Sequence, residues 1–495
     1  MILIEFIRKN RFAISVSLLL ALSFILRFYN FENRWGLAYD QAYSAVLARN
    51  AVSELKLPLI GPFSSAGPMQ TGGEWYWFVM TGTILNPTRV NTPWVFTTLL
   101  YVFFVAFMIS LGREFEGKKF GILLGLLTCV STAQIAQSVS LTNQSPLIFS
   151  SGLALWGMIK FLKTKKLKHL FLLAFGVSLG ITFHFQGVAL ISLLIATILI
   201  TRAGIRGILA SIVGFFVPLI PLLIFDLQNS FINSKNIIQY YLHDQYQVSL
   251  DVLGRNWRTY MGNFWPDAWS HIIGGHRLIG FLEIALVSFA TVYSFVNKKM
   301  KRQWLIVILS FIAMVSILRY IRTPLYDSYL VFLHPFVLLL TAWAIFLVYS
   351  KNKIVAFSLL SLILIFSLIK DSKELTYNKT NFPAEEAELK VEVLEKKYPG
   401  QKFSLFSYKY QLADQNLILN LFLDSKNLLD PSGRRIGIVS STESAVLIFP
   451  VIEGETLSTR LLDLNSSTSA QLKKSDWADM SPEEIYRVTQ QWYTK

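Results

Sequence analysis

Eleven long apolar stretches, nearly free of charge, recur along the chain at 12–28, 93–112, 120–140, 143–162, 169–186, 188–201, 207–227, 277–296, 303–320, 329–349 and 354–370. A helix that crosses a bilayer needs about 20 mainly apolar residues. Most of the stretches approach that length, and the short one at 188–201 suits a tilted or partly re-entrant segment. The residue content, 53% hydrophobic and 16% charged, departs from the roughly 45–50% and 25% of soluble domains. A soluble enzyme, a disordered chain and a fibrous repeat are thereby excluded, and a mainly α, polytopic membrane protein is expected. The first stretch has no small-residue cleavage site and ends in Arg27-Phe28-Tyr29, which reads as an interfacial anchor rather than a signal peptide. A single cysteine, Cys129, rules out an intrachain disulfide.

The net charge of +15 is unevenly placed. The N-terminal tail and the alternate loops carry 19 Lys and Arg against three acids, Glu5, Glu114 and Glu116. The opposite loops, 29–92 and 228–276, are each neutral, and the tail 371–495 is −3. An excess of Lys and Arg on one side marks the cytoplasmic face. The N-terminus is therefore expected inside and the C-terminus outside, in a membrane that the Lys- and Ile-rich usage matches to the bacterial inner membrane. The basicity is topogenic, so no nucleic-acid partner is inferred; membrane lipids are the expected surroundings. The inner loops are too short to hold a site, which leaves the outer side for chemistry.

This organisation predicts a transmembrane domain over 1–370, with outer loops 29–92 and 228–276, and an extracytoplasmic domain over 371–495. In the latter, helices are expected at 383–398 and 411–423 and strands at 403–408, 436–440 and 445–451, the order of a small α/β domain. It has no Gly-rich phosphate loop and no metal-ligand spacing, and reads as a folding or acceptor-docking module.

Several polar groups fall at the outer ends of the apolar stretches. Asp40 and Gln41 lie among aromatics soon after the first stretch, and Glu74 and Tyr76 follow a glycine pair. An acid beside the membrane in such a setting suits a general base; the competing reading makes Asp40 a helix cap. Asn143 stands at a polar break, His184 and Gln186 end the fifth stretch, and Asp226 ends the seventh. Arg319 and Arg322 end the ninth, followed by Tyr326, Asp327 and Tyr329. Polar groups at the membrane edge are expensive and point to function. A guanidinium is the preferred fork for phosphate, so Arg322 is a candidate to hold a lipid phosphate, while Arg319 alternatively snorkels to the headgroups. Trp257, Trp265 and Trp269 read as an interfacial belt or a sugar-stacking surface. No zinc signature accompanies His243, His271 or His276.

Taken in order, these motifs resemble the polytopic GT-C-fold glycosyltransferases, specifically bacterial relatives of the protein O-mannosyltransferases and of the lipid A aminoarabinose transferase. The likeness covers roughly 1–370. It includes Tyr39-Asp40-Gln41, the Gly61-Pro62 turn, Trp75-Tyr76-Trp77, the basic hairpin Gly112–Lys119, the break Thr142–Pro146, and Arg322–Leu330 ahead of His334-Pro335. The resemblance implies a GT-C-like bundle of about 11 transmembrane helices carrying outer-face loops and the small C-terminal α/β domain. It implies transfer of a sugar from a polyprenyl-phosphate donor to a lipid, glycan or protein acceptor of the envelope, with inversion. Asp40 would be the catalytic base. Arg322 and Arg319 would hold the donor phosphate. Gln41, Glu74, Tyr76, Asn143, His184, Gln186, Tyr326 and Tyr329 would contact substrate. No cofactor is required and no metal ligand is assigned, although the chemistry leaves room for a divalent metal. Many members have Asp-Glu where this chain has Asp40-Gln41, and an acid where it has Asn143; both departures leave fewer carboxylates for a metal or a second acid/base group.

Two other functions compete. A flippase for a lipid-linked sugar would show internal repeats and matched broken helices, and no clear repeat is present. A non-catalytic scaffold in envelope assembly fits Gln41 and Asn143 but not Asp40 and Arg322.

Overall fold

The computed structural model describes residues 2–64, 67–247, 249–250, 253–322, 327–376, 382–408, 413–440, 451–452, 459–465 and 477–479. Each of the eleven apolar stretches lies mainly in helix. Among the described residues, seven helices are long and apolar enough to cross a membrane, from Lys9–Phe28 to Lys353–Leu375. Two bent pairs, Lys118–Cys129 with Thr132–Ser138 and Ile205–Phe216 with Ile220–Gln228, and two shorter apolar helices, Leu167–Phe183 and Phe185–Thr201, occupy the remaining stretches. The second pair bends by 62° at Val217-Pro218-Leu219, where a proline removes a backbone donor and its ring clashes with the preceding turn. The chain is thus an integral membrane protein, mainly α.

Two compact units form. The first gathers Met1–Phe31, Pro58–Trp75 and Thr97–Thr376; the second gathers Glu32–Leu57, Tyr76–Phe96 and Tyr377–Lys495. The first outer loop is therefore shared between the two.

In the first unit, Arg27 is fully buried. Its guanidinium donates to the carbonyls of Thr128 (3.2 Å) and Cys129 (3.1 Å) and to the Ser23 hydroxyl (2.9 Å). It satisfies the end of helix Lys118–Cys129, where carbonyls lack partners and the dipole favours a cation. This corrects the expectation of a headgroup anchor. At the other end of the bundle Gly117, at φ +91°, turns the basic hairpin. There Glu114 accepts from Lys160 (2.7 Å) and Lys163 (2.9 Å), and Glu116 from Lys301 (2.6 Å) and the Trp304 indole (2.8 Å). Two of the three acids on this largely basic face thus staple three loops together.

The same unit holds an antiparallel hairpin, β1 (Ile60–Ser64) and β2 (Gly67–Gly72). It docks on helix Ile232–Leu242 through Asn233, which accepts from the Gln70 amide (2.7 Å) and donates to its carbonyl (3.1 Å). Asn236 donates to Pro68 O at 2.7 Å. Buried Asp226 accepts from the amides of Asn233 (2.9 Å) and Ser234 (3.0 Å), so it caps this helix from a distance. Trp265 and Trp269 are buried against Phe311, and the Trp269 indole donates to Thr341 Oγ1 (3.1 Å). They form neither a belt nor a sugar surface, because their helix turns this face into the bundle; Trp257 alone of the three is exposed.

In the second unit, β3 (Phe403–Tyr408) and β4 (Arg434–Ser440) pair in parallel around helix Ala413–Ser425. The sheet is completed by β5 (Val451–Ile452), β6 (Thr459–Asp463) and β7 (Trp477–Asp479), in the order β5-β6-β4-β3-β7. The expected elements at 383–398, 403–408, 411–423 and 436–440 are present within a few residues; the strand expected at 445–451 lies outside the described residues except for Val451. Helix Phe382–Lys397 covers helix Ala413–Ser425. In it Lys390 and Glu386 form a buried ion pair at 2.9 Å, one turn apart. Burial pulls the Lys390 ammonium below its ordinary pKa, against the opposing pull of Glu386. Breaking a buried pair strands a charge, so Lys390→Ala is expected to destabilise this unit by about 3–5 kcal/mol. Thermal unfolding of the purified full-length protein checks it; an unchanged midpoint would mean that Glu386 takes up a proton at little cost.

Candidate active site

Five of the expected residues meet around the C-terminal end of helix Leu167–Phe183. Asn143 Nδ2 donates to Phe183 O at 3.1 Å. A carboxylate could not make that bond, which gives a physical reason for an amide at this position. His184 follows; its Nδ1 accepts from the Gln186 amide at 3.4 Å and its ring lies 4.9 Å from that of Tyr329. That bond places the imidazole proton on Nε2. Gln186 and Tyr329 are buried, and Gln186 Oε1 has no hydrogen-bond partner among the described residues.

Glu74 reaches the same place from the end of β2. A Cβ on Gly72 would lie 2.1 Å from Glu74 Oε2 and 2.6 Å from Thr182 Cβ, so only glycine lets the strand pass between them. Glu74 is 7% exposed. Thr182 commits its hydroxyl hydrogen to Leu179 O (3.0 Å), and neither carboxylate oxygen is reached at full hydrogen-bond geometry among the described residues. Burial pushes the Glu74 pKa up to about 7, held in check by its own amide and the Thr182 hydroxyl nearby.

This has a measurable consequence. The unfolded chain releases the Glu74 proton near its ordinary value of 4.5, the folded chain near 7. Protonation therefore favours folding: the contribution is complete below pH 4.5 and is lost as pH rises through 7, about 3 kcal/mol in all. Glu74→Gln, which mimics the protonated acid, is expected to flatten that decline. Unfolding midpoints of both proteins between pH 5 and 8 check this; parallel curves would show that Glu74 ionises in place without penalty.

A second group of side chains gathers at the end of helix Arg302–Tyr320. Arg322 lies over the Tyr246 ring (4.9 Å), and Arg319 over those of Trp257 (4.3 Å) and Tyr320 (5.0 Å). Arg255, 3% exposed, donates its Nη1 to Leu318 O at 3.3 Å, just before Arg319 in the chain. Arg255 and Arg322 both draw down the Tyr240 phenol, which burial and Tyr241 raise. Arg255 and Arg319 both act on Tyr260, whose hydroxyl donates to Val315 O at 2.7 Å. Three guanidiniums thus converge on an aromatic floor. Arg255 escapes sequence reading because nothing local distinguishes it from the other loop arginines; the only hint is its place beside Trp257 and Tyr260. Tyr240 also touches the start of β2 at Gly67. β2 therefore runs from this group to Gly72, beside the Glu74 carboxylate, a span of roughly 17 Å at about 3.4 Å per residue. Tyr326 lies outside the described residues.

In the second unit Asp40 is the second residue of helix Tyr39–Ser53 and its side chain is exposed. The cap position is Ala38, so Asp40 is not the cap. Gln41 Oε1 accepts from the Ala38 amide at 3.1 Å, the reciprocal half of a capping box. That bond gives Gln41 a local structural task. Tyr76 is buried in the same unit. Among the described residues no three His, Cys, Asp or Glu side chains are arranged to hold a metal ion.

No protein-family model and no curated protein matches the sequence. Solved structures do match in shape. The fold is similar to that of ArnT from Cupriavidus metallidurans bound to undecaprenyl phosphate, with a TM-score of 0.60 and 12% identity, covering 90% of this chain and 97% of that one. It is also similar to the Archaeoglobus fulgidus oligosaccharyltransferase solved with Zn and sulfate: TM-score 0.54, 13% identity, 82% of this chain and 61% of that one. AglB from the same organism, with an inhibitory peptide and a dolichol-phosphate, matches at 0.51 and 11%, over 87% and 70% of the two chains. The chain is a membrane protein of the GT-C fold.

Proposed function

We propose that the protein is a membrane glycosyltransferase that moves a sugar from a polyprenyl phosphate to an envelope acceptor on the outer face of the bacterial inner membrane, its N-terminus inside. The observation that carries this reading is the convergence of Arg255, Arg319 and Arg322 on Tyr240, Tyr246, Trp257 and Tyr260. Guanidiniums bind phosphate by paired hydrogen bonds, and such charge-assisted bonds are roughly twice as strong as neutral ones. The GT-C likeness supports it, since ArnT was solved with undecaprenyl phosphate and AglB with dolichol-phosphate and a peptide.

The chemistry is a single displacement. Asp40 takes the proton from the acceptor hydroxyl, whose oxygen bonds to the anomeric carbon. The bond from that carbon to the phosphate oxygen breaks, and the configuration inverts. Polyprenyl phosphate departs as an anion, held by the three guanidiniums. A phosphate needs no proton to leave, so one carboxylate suffices where glycoside hydrolases use a pair. Stabilisation of the departing charge is then a principal contribution. Glu74, Asn143, His184, Gln186 and Tyr329 supply the hydrogen-bonding surface against which sugar or acceptor hydroxyls are bound; the resemblance gives the same task to Tyr76 and Tyr326. The mechanism assigns no step to a metal.

The test is transfer in proteoliposomes, with radiolabelled undecaprenyl-phosphate pentoses and hexoses as donors and native envelope extract as acceptor. Label moving to a new product with wild type and not with Asp40→Asn is expected. Absence of both transfer and donor hydrolysis with every sugar, in folded protein, would overturn the reading.

A further inference from the structure

We infer that Arg49 is a positioning residue for Asp40, and that the C-terminal α/β domain acts on the reaction through it. The inference rests on the reading of Asp40 as the base. Arg49 lies on the helix that carries Asp40, nine residues on, a rise of about 13 Å. Its Nε donates to the Asp424 carboxylate, and its Nη1 donates to Pro87 O at 2.6 Å. Asp424 lies in the last turn of helix Ala413–Ser425, which packs on β3 and on helix Tyr39–Ser53. Pro87 belongs to the other leg of the first outer loop within this unit. One guanidinium thus joins three segments distant in sequence: the Asp40 helix, the return leg of its loop, and the C-terminal domain.

The helix needs such a tie. The side it buries includes Ala42, Ala45 and Ala48. Small side chains allow close approach but offer few knobs to resist sliding along the axis. Ahead of Asp40 the chain is fixed by the Trp94 indole, which donates to Gly36 O (2.9 Å), and by the edge-on contact of Trp35 with Trp94 at 5.0 Å. Arg49 fixes the other end. The planar fork of arginine sends two N–H groups in set directions to two acceptors, which a lysine ammonium does not reproduce. The ion pair is partly exposed, with Arg49 at 12% and Asp424 at 40%, so its share of global stability is small. Its share of catalysis is larger, because displacing a reacting group by about 1 Å costs up to about 10²-fold in rate.

The experiment uses the full-length protein in proteoliposomes with the donor panel above, comparing Arg49→Lys, Arg49→Gln, Asp424→Asn and the double variant Arg49→Gln/Asp424→Asn. We expect kcat to fall by about 10²-fold in Arg49→Gln and Asp424→Asn, donor KM to stay near wild type, and the unfolding midpoint to hold. Arg49→Lys should recover little. The double variant should be no worse than either single, since both remove the same tie. Hydrogen exchange of the amides at 39–53 should rise in Asp424→Asn, a readout that needs no donor. Wild-type kcat, additive losses in the double variant, or unchanged exchange would each overturn the inference. Asp40→Asn run alongside separates the two ideas. If it is inactive while the Arg49 variants are normal, only the positioning role falls; if it is fully active, Asp40 is not the base and both fall.

Discussion

Asp40→Asn is expected to lower the turnover of sugar transfer by about 10²–10⁴-fold, the range contributed by a general base, with the donor KM little changed. Asparagine keeps the size of the side chain and most of its hydrogen bonding but accepts no proton. Two features give Asp40 this weight. Its side chain is exposed at the second residue of its helix, where the helix N-terminus favours a negative charge. It is also not the cap residue: Ala38 holds the cap position and Gln41 serves the Ala38 amide. Initial rates in proteoliposomes, at donor concentrations spanning KM, measure the effect. Unaltered turnover would remove Asp40 from the mechanism, while a fall in donor affinity alone would make it a binding group.

The second large effect is expected at the arginines. Arg255→Ala and Arg322→Ala should each reduce kcat by about 10²–10³-fold, as when one donor to a developing anion is removed. The charge on the phosphate oxygen grows as the glycosidic bond breaks, so these contacts strengthen in the transition state. Arg255 is the more telling of the two, because its burial and its bond to Leu318 O hold the group in place before the donor arrives. Lysine at either position should restore less than a tenth of the loss, since an ammonium cannot make the paired bonds of the guanidinium. Arg319, stacked over Trp257 and Tyr320, should matter less. Steady-state rates together with binding of free undecaprenyl phosphate check this. Losses confined to KM would mean that the arginines hold donor and transition state equally.

Much of the architecture was legible without coordinates. The apolar stretches appear as helices because a bilayer demands about 20 residues of internally bonded backbone, and that demand is written in composition alone. The small α/β domain was readable from 383 to 440 because its helices and strands follow local periodicity. Asn143, His184, Gln186 and Tyr329 stand out in the sequence as polar groups at stretch ends, and in the structure they lie together. The cost of a polar group at the membrane edge is a local property. What those groups bond to is not local. Arg27 looked like an anchor and is a buried cap for another helix. Trp265 and Trp269 looked interfacial and are core.

Hydropathy, loop charge and residue order therefore determined by themselves that this chain is a polytopic membrane protein with an α/β tail, because burial in lipid acts on each segment separately. Tertiary structure alone decided the division of the first outer loop between two units, the burial that lifts Glu74 to about 7, the recruitment of Arg255 beside Arg322, and the tie from Arg49 to Asp424. Each of these depends on a partner tens or hundreds of residues away, and desolvation and pairing at that range follow from how the segments pack, which no local pattern records.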